Sequence, residues 1–136
     1  MTDAPLFVGQ SLPPLTTAPV SRFTLALYCG ASGDHNPIHV DTDFAKQAGY
    51  ADVFAHGMLS MAWLGRLLTD WVPQHRIREF GVRFTALTHI GERIRCEGTV
   101  TELFTADGER RARLEVHSMN EDGHLKLKGD AVIALD

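Results

Sequence analysis

From Gly57 to about Trp71 the chain is apolar nearly all round. Met58, Leu59, Met61, Ala62, Trp63, Leu64, Leu67 and Leu68 leave no continuous polar stripe. A helix of that kind belongs inside a protein rather than on its surface. At 1.5 Å per residue it would be about 22 Å long, enough to cross a small domain, and Pro73 is a natural stop. The rest of the chain must supply a cover for it.

The cover follows directly, because the apolar period then drops to two. Val82, Phe84 and Ala86 alternate with Arg83 and Thr85, and Ile94 and Cys96 with Arg93, Arg95 and Glu97. Ala112, Leu114 and Val116 alternate with Arg111, Arg113 and Glu115. Leu125 and Leu127 alternate with Lys126 and Lys128, and Ala131 and Ile133 continue the series. This pattern predicts half-buried strands. The segments His89–Glu92, Ala106–Glu109 and Asn120–Gly123 are short and suit antiparallel hairpins. One-faced strands and one apolar helix bury each other only if the strands curl around the helix. The predicted class is α+β: a curved antiparallel sheet wrapped around a central apolar helix, with residues 1–136 as one domain.

The first twenty residues hold four of the six prolines and read as an irregular arm with one edge strand. Ser21 is placed to cap a short, mostly apolar helix through Phe23, Leu25, Ala26, Leu27 and Cys29, which Gly30 or Gly33 would stop. Asp41 is placed to cap another, with Phe44, Ala45 and Ala48 inward and Gly49 at its end.

Between these helices lies Gly33-Asp34-His35-Asn36-Pro37-Ile38-His39. Pro37 lacks an N–H and biases Asn36 towards extended backbone, so no regular helix runs through the stretch. A stiff bend can aim Asp34 and His39 at one point, and both residue types carry protons in general acid–base chemistry. Asp and Asn are also ordinary turn formers, so spacing alone leaves a purely structural turn open.

Composition narrows the setting. At 136 residues the chain can bury roughly two thirds of its unfolded surface. A net charge of −4 and a pI near 5.9 point away from nucleic acid or an anionic membrane as the main partner. Cys29 and Cys96 are too few for a disulfide framework, and no basic-then-apolar leader opens the sequence. No apolar run approaches the eighteen or so residues of a membrane span. A reduced, cytoplasmic setting is expected. The seven histidines show no ligand spacing, since His35 and His39 would have to join His56 across a loop with no thiolate nearby. No metal and no cofactor is expected.

The Gly33–His39 stretch, with Tyr28 and Ser32 before it, resembles the signature of the MaoC-like, or R-specific, enoyl hydratases and dehydratases. Ala55-His56-Gly57-Met58 matches that family's second landmark, and the stretch from His56 to Trp71 and Val82–Ala86 is similar to catalytic subunits of bacterial 3-hydroxyacyl-thioester dehydratases. The resemblance implies the hot-dog fold and a hydro-lyase acting on acyl thioesters of coenzyme A or acyl carrier protein. It also implies a dimer of like or unlike chains. By carry-over Asp34 and His39 are the catalytic pair, Asn36 orients them or the substrate, and the Gly57 amide binds the thioester carbonyl. His56 is a neighbouring substrate-site or loop-fixing residue, and Met58 and Met61 fill the core. Arg83 is either part of a solvated face or a contact for a coenzyme A phosphate.

Gly65 departs from short-chain members, which have a small hydroxyl residue there. A glycine inside a helix costs about 1 kcal/mol against alanine, so Gly65 makes room either for an acyl tail or for close helix–sheet packing. Two other functions fit such a domain: a non-catalytic acyl-binding partner subunit, and a thioesterase. A thioesterase needs a carboxylate on the central helix, and the acid available, Asp70, stands at the end far from Gly57.

Overall fold

The computed structural model describes residues 4–135. Its element order is β1 (Leu15–Thr16), α1 (Arg22–Ser32), α2 (Thr42–Gln47), α3 (Gly57–Thr69), β2 (Ile77–Phe84), β3 (Arg95–Ala106), β4 (Glu109–Met119) and β5 (Leu125–Ala134), with 3-10 turns at Pro37–His39 and Gln74–Arg76. The strands form one antiparallel sheet in the order β1-β3-β4-β5-β2, curled around α3 as the alternation requires.

The helix caps are those the sequence predicts. Ser21 Oγ accepts the N–H of Thr24, and Gly33 closes α1 in the left-handed region at φ 74°. Asp41 accepts the N–H of Phe44 at the start of α2. The two-residue turn Asp107–Gly108, with φ of 53° and 74°, joins β3 to β4, matching the twist of a tight hairpin.

The core lies between α3 and the concave face of the sheet. Leu59, Trp63, Leu64, Leu67 and Leu68 meet Cys96, Val100, Ala112, Leu114, Val116, Leu127, Ala131 and Ile133, all buried. Gly98 makes the close approach possible: a Cβ there would stand 3.3–3.4 Å from Leu12, Val116 and Leu67. Gly129 is more tightly constrained, because its Cβ would fall 1.9 Å from the Gly81 carbonyl oxygen across the β2–β5 pairing.

Several expectations are corrected. The segment His89–Glu92 is a turn but not a hairpin, because β2 pairs with β5 and the chain crosses the sheet before β3. Helix α3 is buried on one side only: Met58 is 58% exposed rather than core filling, and Ala62, Arg66 and Thr69 face outward while Met61 is half-buried. Phe84 is 54% exposed, since it ends the outermost strand. On α2 only Ala45 turns inward; Phe44 and Ala48 are exposed because this helix has less than two turns with which to bury a face.

The alternation also breaks at Lys126, which is buried beside Leu127 while Leu125 turns outward. A register shift at Ser118/Met119 rotates this end of β5. Lys126 Nζ then donates to the Leu87 carbonyl at 2.8 Å and to Glu92 at 3.0 Å. Glu92 also accepts from the His89 N–H and from Asn120 Nδ2. Burial raises the Glu92 carboxyl pKa, but the donors around it outweigh burial and hold it below the ordinary glutamate range. Its contribution to stability is therefore present above that range and is lost as pH falls through the depressed value.

Removing Lys126 takes away the counter-charge of Glu92 but leaves it the His89 and Asn120 donors, at a cost of about 1–3 kcal/mol. Lys126→Met should lower the urea midpoint correspondingly. Its loss of stability on acidification should also be shallower than that of the wild type. An unchanged midpoint would mean that the pair contributes nothing net.

Candidate active site

The bend before α2 is held by a ladder of short bonds. Ser32 Oγ donates to the Tyr28 carbonyl and accepts the Asp34 N–H. Asp34 Oδ1 accepts the Asn36 N–H at 3.2 Å, and Asn36 Oδ1 accepts the Ile38 N–H at 3.1 Å. The Pro37–His39 turn therefore starts from Asn36, with proline at its first position where no N–H is needed. The Asn36 side-chain oxygen serves the turn, while its backbone N–H and carbonyl meet Asp34 Oδ1 and the His39 N–H.

This turn sets Asp34 at the surface, its side chain 52% exposed, and buries His39. His39 Nδ1 lies 2.7 Å from the Phe54 carbonyl. A carbonyl only accepts, so Nδ1 carries the proton and Nε2 presents its lone pair in the neutral ring. That Nε2 stands 3.9 Å from Asp34 Oδ2. The gap is too long for a direct hydrogen bond, and it leaves both atoms free to face one small molecule.

His56 completes the group. It is 1% exposed; its ring stacks on His39 with centroids 3.8 Å apart, and its Nε2 lies 3.3 Å from the Asp34 carbonyl oxygen. Burial, and then the neighbouring His39, hold His56 below the ordinary histidine range. His56 is also the N-cap of α3, so the next residue, Gly57, offers one of the N–H groups that a helix start leaves unpaired. A Cβ on Gly57 would meet the Phe84 ring at 3.1 Å; glycine lets that ring close over the helix start.

The expectation that the histidines stay apart is corrected. One ligand atom each from Asp34, His39 and His56 lies within 4.8 Å of the others, and the Cys29 sulfur is 3.4 Å from His56 Nε2. The two rings are only 25° from parallel, so their in-plane lone pairs run side by side instead of converging on a shared ion. His35 is exposed.

Of the hollows that adjoin α3, two are the largest. One, of about 320 Å³, runs from Phe54 and Gly57 past Ser60 to Phe84 and Thr88. The buried hydroxyls of Ser60 and Thr88 lie 3.4 Å apart in it, and sequence reasoning missed both because neither sits in a motif. The other, of about 470 Å³, is a groove along the outer side of α3, lined by Ala62, Gly65, Arg66, Thr69, Ile77 and Phe80. Gly65 faces Phe80, yet a Cβ there would lie 3.5 Å from that ring, an ordinary contact. Packing does not demand glycine at this position.

A larger hollow, of about 720 Å³, lies on the charged face of the sheet around Arg83, Arg113 and Lys128. Arg113 pairs there with Glu102 and Asp130, and Lys128 with Glu115. None of the Asp34–His39–Gly57 group borders it. Asp70 caps the opposite end of α3 from Gly57.

The profile of the MaoC like domain matches residues 7–121. The chain belongs to the MaoC-like family. It is 27% identical over 113 residues to the (R)-specific enoyl-CoA hydratase of Aeromonas caviae, covering 82% of this chain and 83% of that one. The structure of an A. caviae (R)-hydratase involved in PHA biosynthesis superposes with a TM-score of 0.83 at 26% identity, over 96% of this chain and 98% of that one. The chain is also 31% identical over 128 residues to the fatty acid synthase β subunit TOXC of Cochliobolus carbonum, which covers 92% of this chain. It spans only 5–6% of the length of that and the other fatty acid synthase β subunits it matches. The fold is the hot-dog fold of the R-hydratases, and the family-level chemistry is that of hydratases and dehydratases. Among the described residues no helix is long and apolar enough to cross a membrane.

Proposed function

We propose that the protein is an (R)-specific enoyl-thioester hydratase, or 3-hydroxyacyl-thioester dehydratase, with Asp34 and His39 as its catalytic pair. The observation that carries this reading is the 3.9 Å gap between Asp34 Oδ2 and His39 Nε2, beside the free N–H at the start of α3.

Hydration adds OH to Cβ and H to Cα of a trans-2-enoyl thioester. A carboxylate and a neutral imidazole both accept hydrogen bonds, so together they can hold one water by its two hydrogens. As the water oxygen attacks Cβ, one of the pair takes its proton, and a proton is returned to Cα; dehydration reverses the steps. Negative charge gathers meanwhile on the thioester oxygen. The Gly57 N–H, at the positive end of the α3 dipole, is suited to receive it.

The substrate class follows from the family: an acyl thioester of coenzyme A or acyl carrier protein. The protein is read as a dimer. Strand β2 is an outer strand of the sheet, and Phe84, which ends it, is exposed, as is Met58 at the start of α3. Joining two such edges about a two-fold axis removes a pairing hazard. The acyl tail is assigned to the groove past Gly65, because the face carrying Leu64 and Leu68 is closed, both being 0% exposed.

Three outcomes are expected. With crotonyl-CoA, followed by loss of enoyl absorbance, Asp34→Asn and His39→Ala should each lower kcat roughly 10²–10⁴-fold in a folded protein. The double variant should be little worse than either single one; near-normal activity in either single variant would sink the assignment. Light scattering should give about twice the 15.0 kDa chain mass, and a fully active monomer would contradict the dimer. Gly65→Leu should spare crotonyl-CoA while sharply slowing chains of about eight carbons and longer, since the added side chain fills the groove that a longer tail needs. Equal loss at every chain length would remove the groove from the acyl path.

A further inference from the structure

We infer that His56 is a positioning residue that locks Asp34, His39 and the start of α3 into one unit, an inference that rests on the hydratase reading of the pair. Three contacts meet in this one side chain. The flat ring lies against His39, 3.8 Å between centroids and 25° from parallel, and so limits rotation of the ring whose Nε2 faces the substrate. Nε2 points at the Asp34 carbonyl at 3.3 Å; since a carbonyl cannot donate, this nitrogen carries the proton. The backbone of His56 is the N-cap of α3 and thereby sets the direction of the Gly57 N–H.

Helix α1 also touches this ring. The Tyr28 ring meets it edge-on with centroids 4.7 Å apart, and the Cys29 sulfur is 3.4 Å from Nε2. Helix α1 thus contacts His56 directly, and Gly33, which ends α1, leads straight into the turn that carries Asp34. Displacement of α1 would disturb the carboxylate, the imidazole and the helix start together.

The choice of residue is informative. With Nε2 protonated, Nδ1 is an acceptor, and it is buried without a hydrogen-bond partner. An orphaned polar atom in the interior lowers stability, and a phenylalanine of similar size would avoid it. A side chain that merely filled this space would not be expected to carry two nitrogens. Burial, and then the adjacent His39, hold His56 below the ordinary histidine range, and the Asp34 carbonyl at 3.3 Å favours the proton on Nε2.

Two variants separate the contacts. His56→Phe keeps the stack and loses the donor; His56→Gln keeps a side-chain N–H of similar reach and loses the ring. Each should lower kcat roughly 10–100-fold, the scale set by small misplacements of reacting groups, with KM within about twofold of wild type. His56→Phe should melt close to wild type, because removal of the orphaned Nδ1 offsets the lost bond to the Asp34 carbonyl. A folded variant of either kind with kcat within twofold of wild type would overturn the inference. So would collapse of both variants, since His56 would then be a structural residue. A wild-type protein inert towards enoyl thioesters would refute the hydratase reading separately. In that event the His39 Nδ1–H resonance decides the role of His56: sharp in the wild type and exchange-broadened in both variants if His56 fixes the ring, unchanged if it does not.

Discussion

The leucines of α3 are the constraint from which the rest follows. Leu59, Leu64, Leu67 and Leu68 are between 0% and 6% exposed, and a single helix face that apolar leaves water only inside a surface that bends around it. A flat sheet would touch one line of the helix. The curl that encloses it is helped by a register shift in β3 between Val100 and Glu102, a device that sharpens strand twist, and by Gly98, which admits Leu67 to the floor of the sheet. Strand β2 then has to run to the far edge beside β5. That crossing leaves the outer side of α3 open and its first turn beside Phe84.

Local features were legible in the sequence where one residue decides the outcome. Ser21 and Asp41 cap their helices because a short oxygen-bearing side chain there has an orphan N–H within reach. Asp107–Gly108 makes a hairpin because both positions need positive φ. The Gly33–His39 bend was legible for the same reason, and so were the residues that sit on it. The strand period identified the sheet, but it carries no information about which edges meet. The far-edge position of β2, and hence the exposure of Phe84, was therefore beyond reach.

Other features depended on contacts between distant segments. Lys126 follows the polar alternation in β5, and only the slip opposite Ser118 turns it towards Glu92. Ser60 and Thr88 are twenty-eight residues apart, and each looks ordinary alone. His56 and Cys29 are separated by twenty-seven residues, so spacing treated them as unrelated. In each case a polar group met its partner through tertiary packing, and the sequence pattern marks the group without marking the meeting.

The buried polar residues nonetheless follow a pattern. His39, His56, Ser60 and Thr88 gather around the first turn of α3, and Lys126 and Asn120 hold the segment that carries Thr88. Thr88 in turn accepts the Ala55 N–H on its carbonyl at 2.8 Å, just before His56. The buried face of the lower turns of α3, Leu64, Leu67 and Leu68, packs in the apolar core. The helix therefore has two ends with different tasks: the C-terminal turns hold the sheet, and the N-terminal turn is held by polar bonds from α1, the Asp34 turn and the Thr88 segment. Apolar contacts are non-directional and tolerate small shifts, whereas hydrogen bonds weaken steeply with angle. Groups that must meet a reacting atom within a fraction of an ångström are better set by the second kind. That division explains why His39, His56, Ser60 and Thr88 gather at one helix start in a domain otherwise built on leucine and valine.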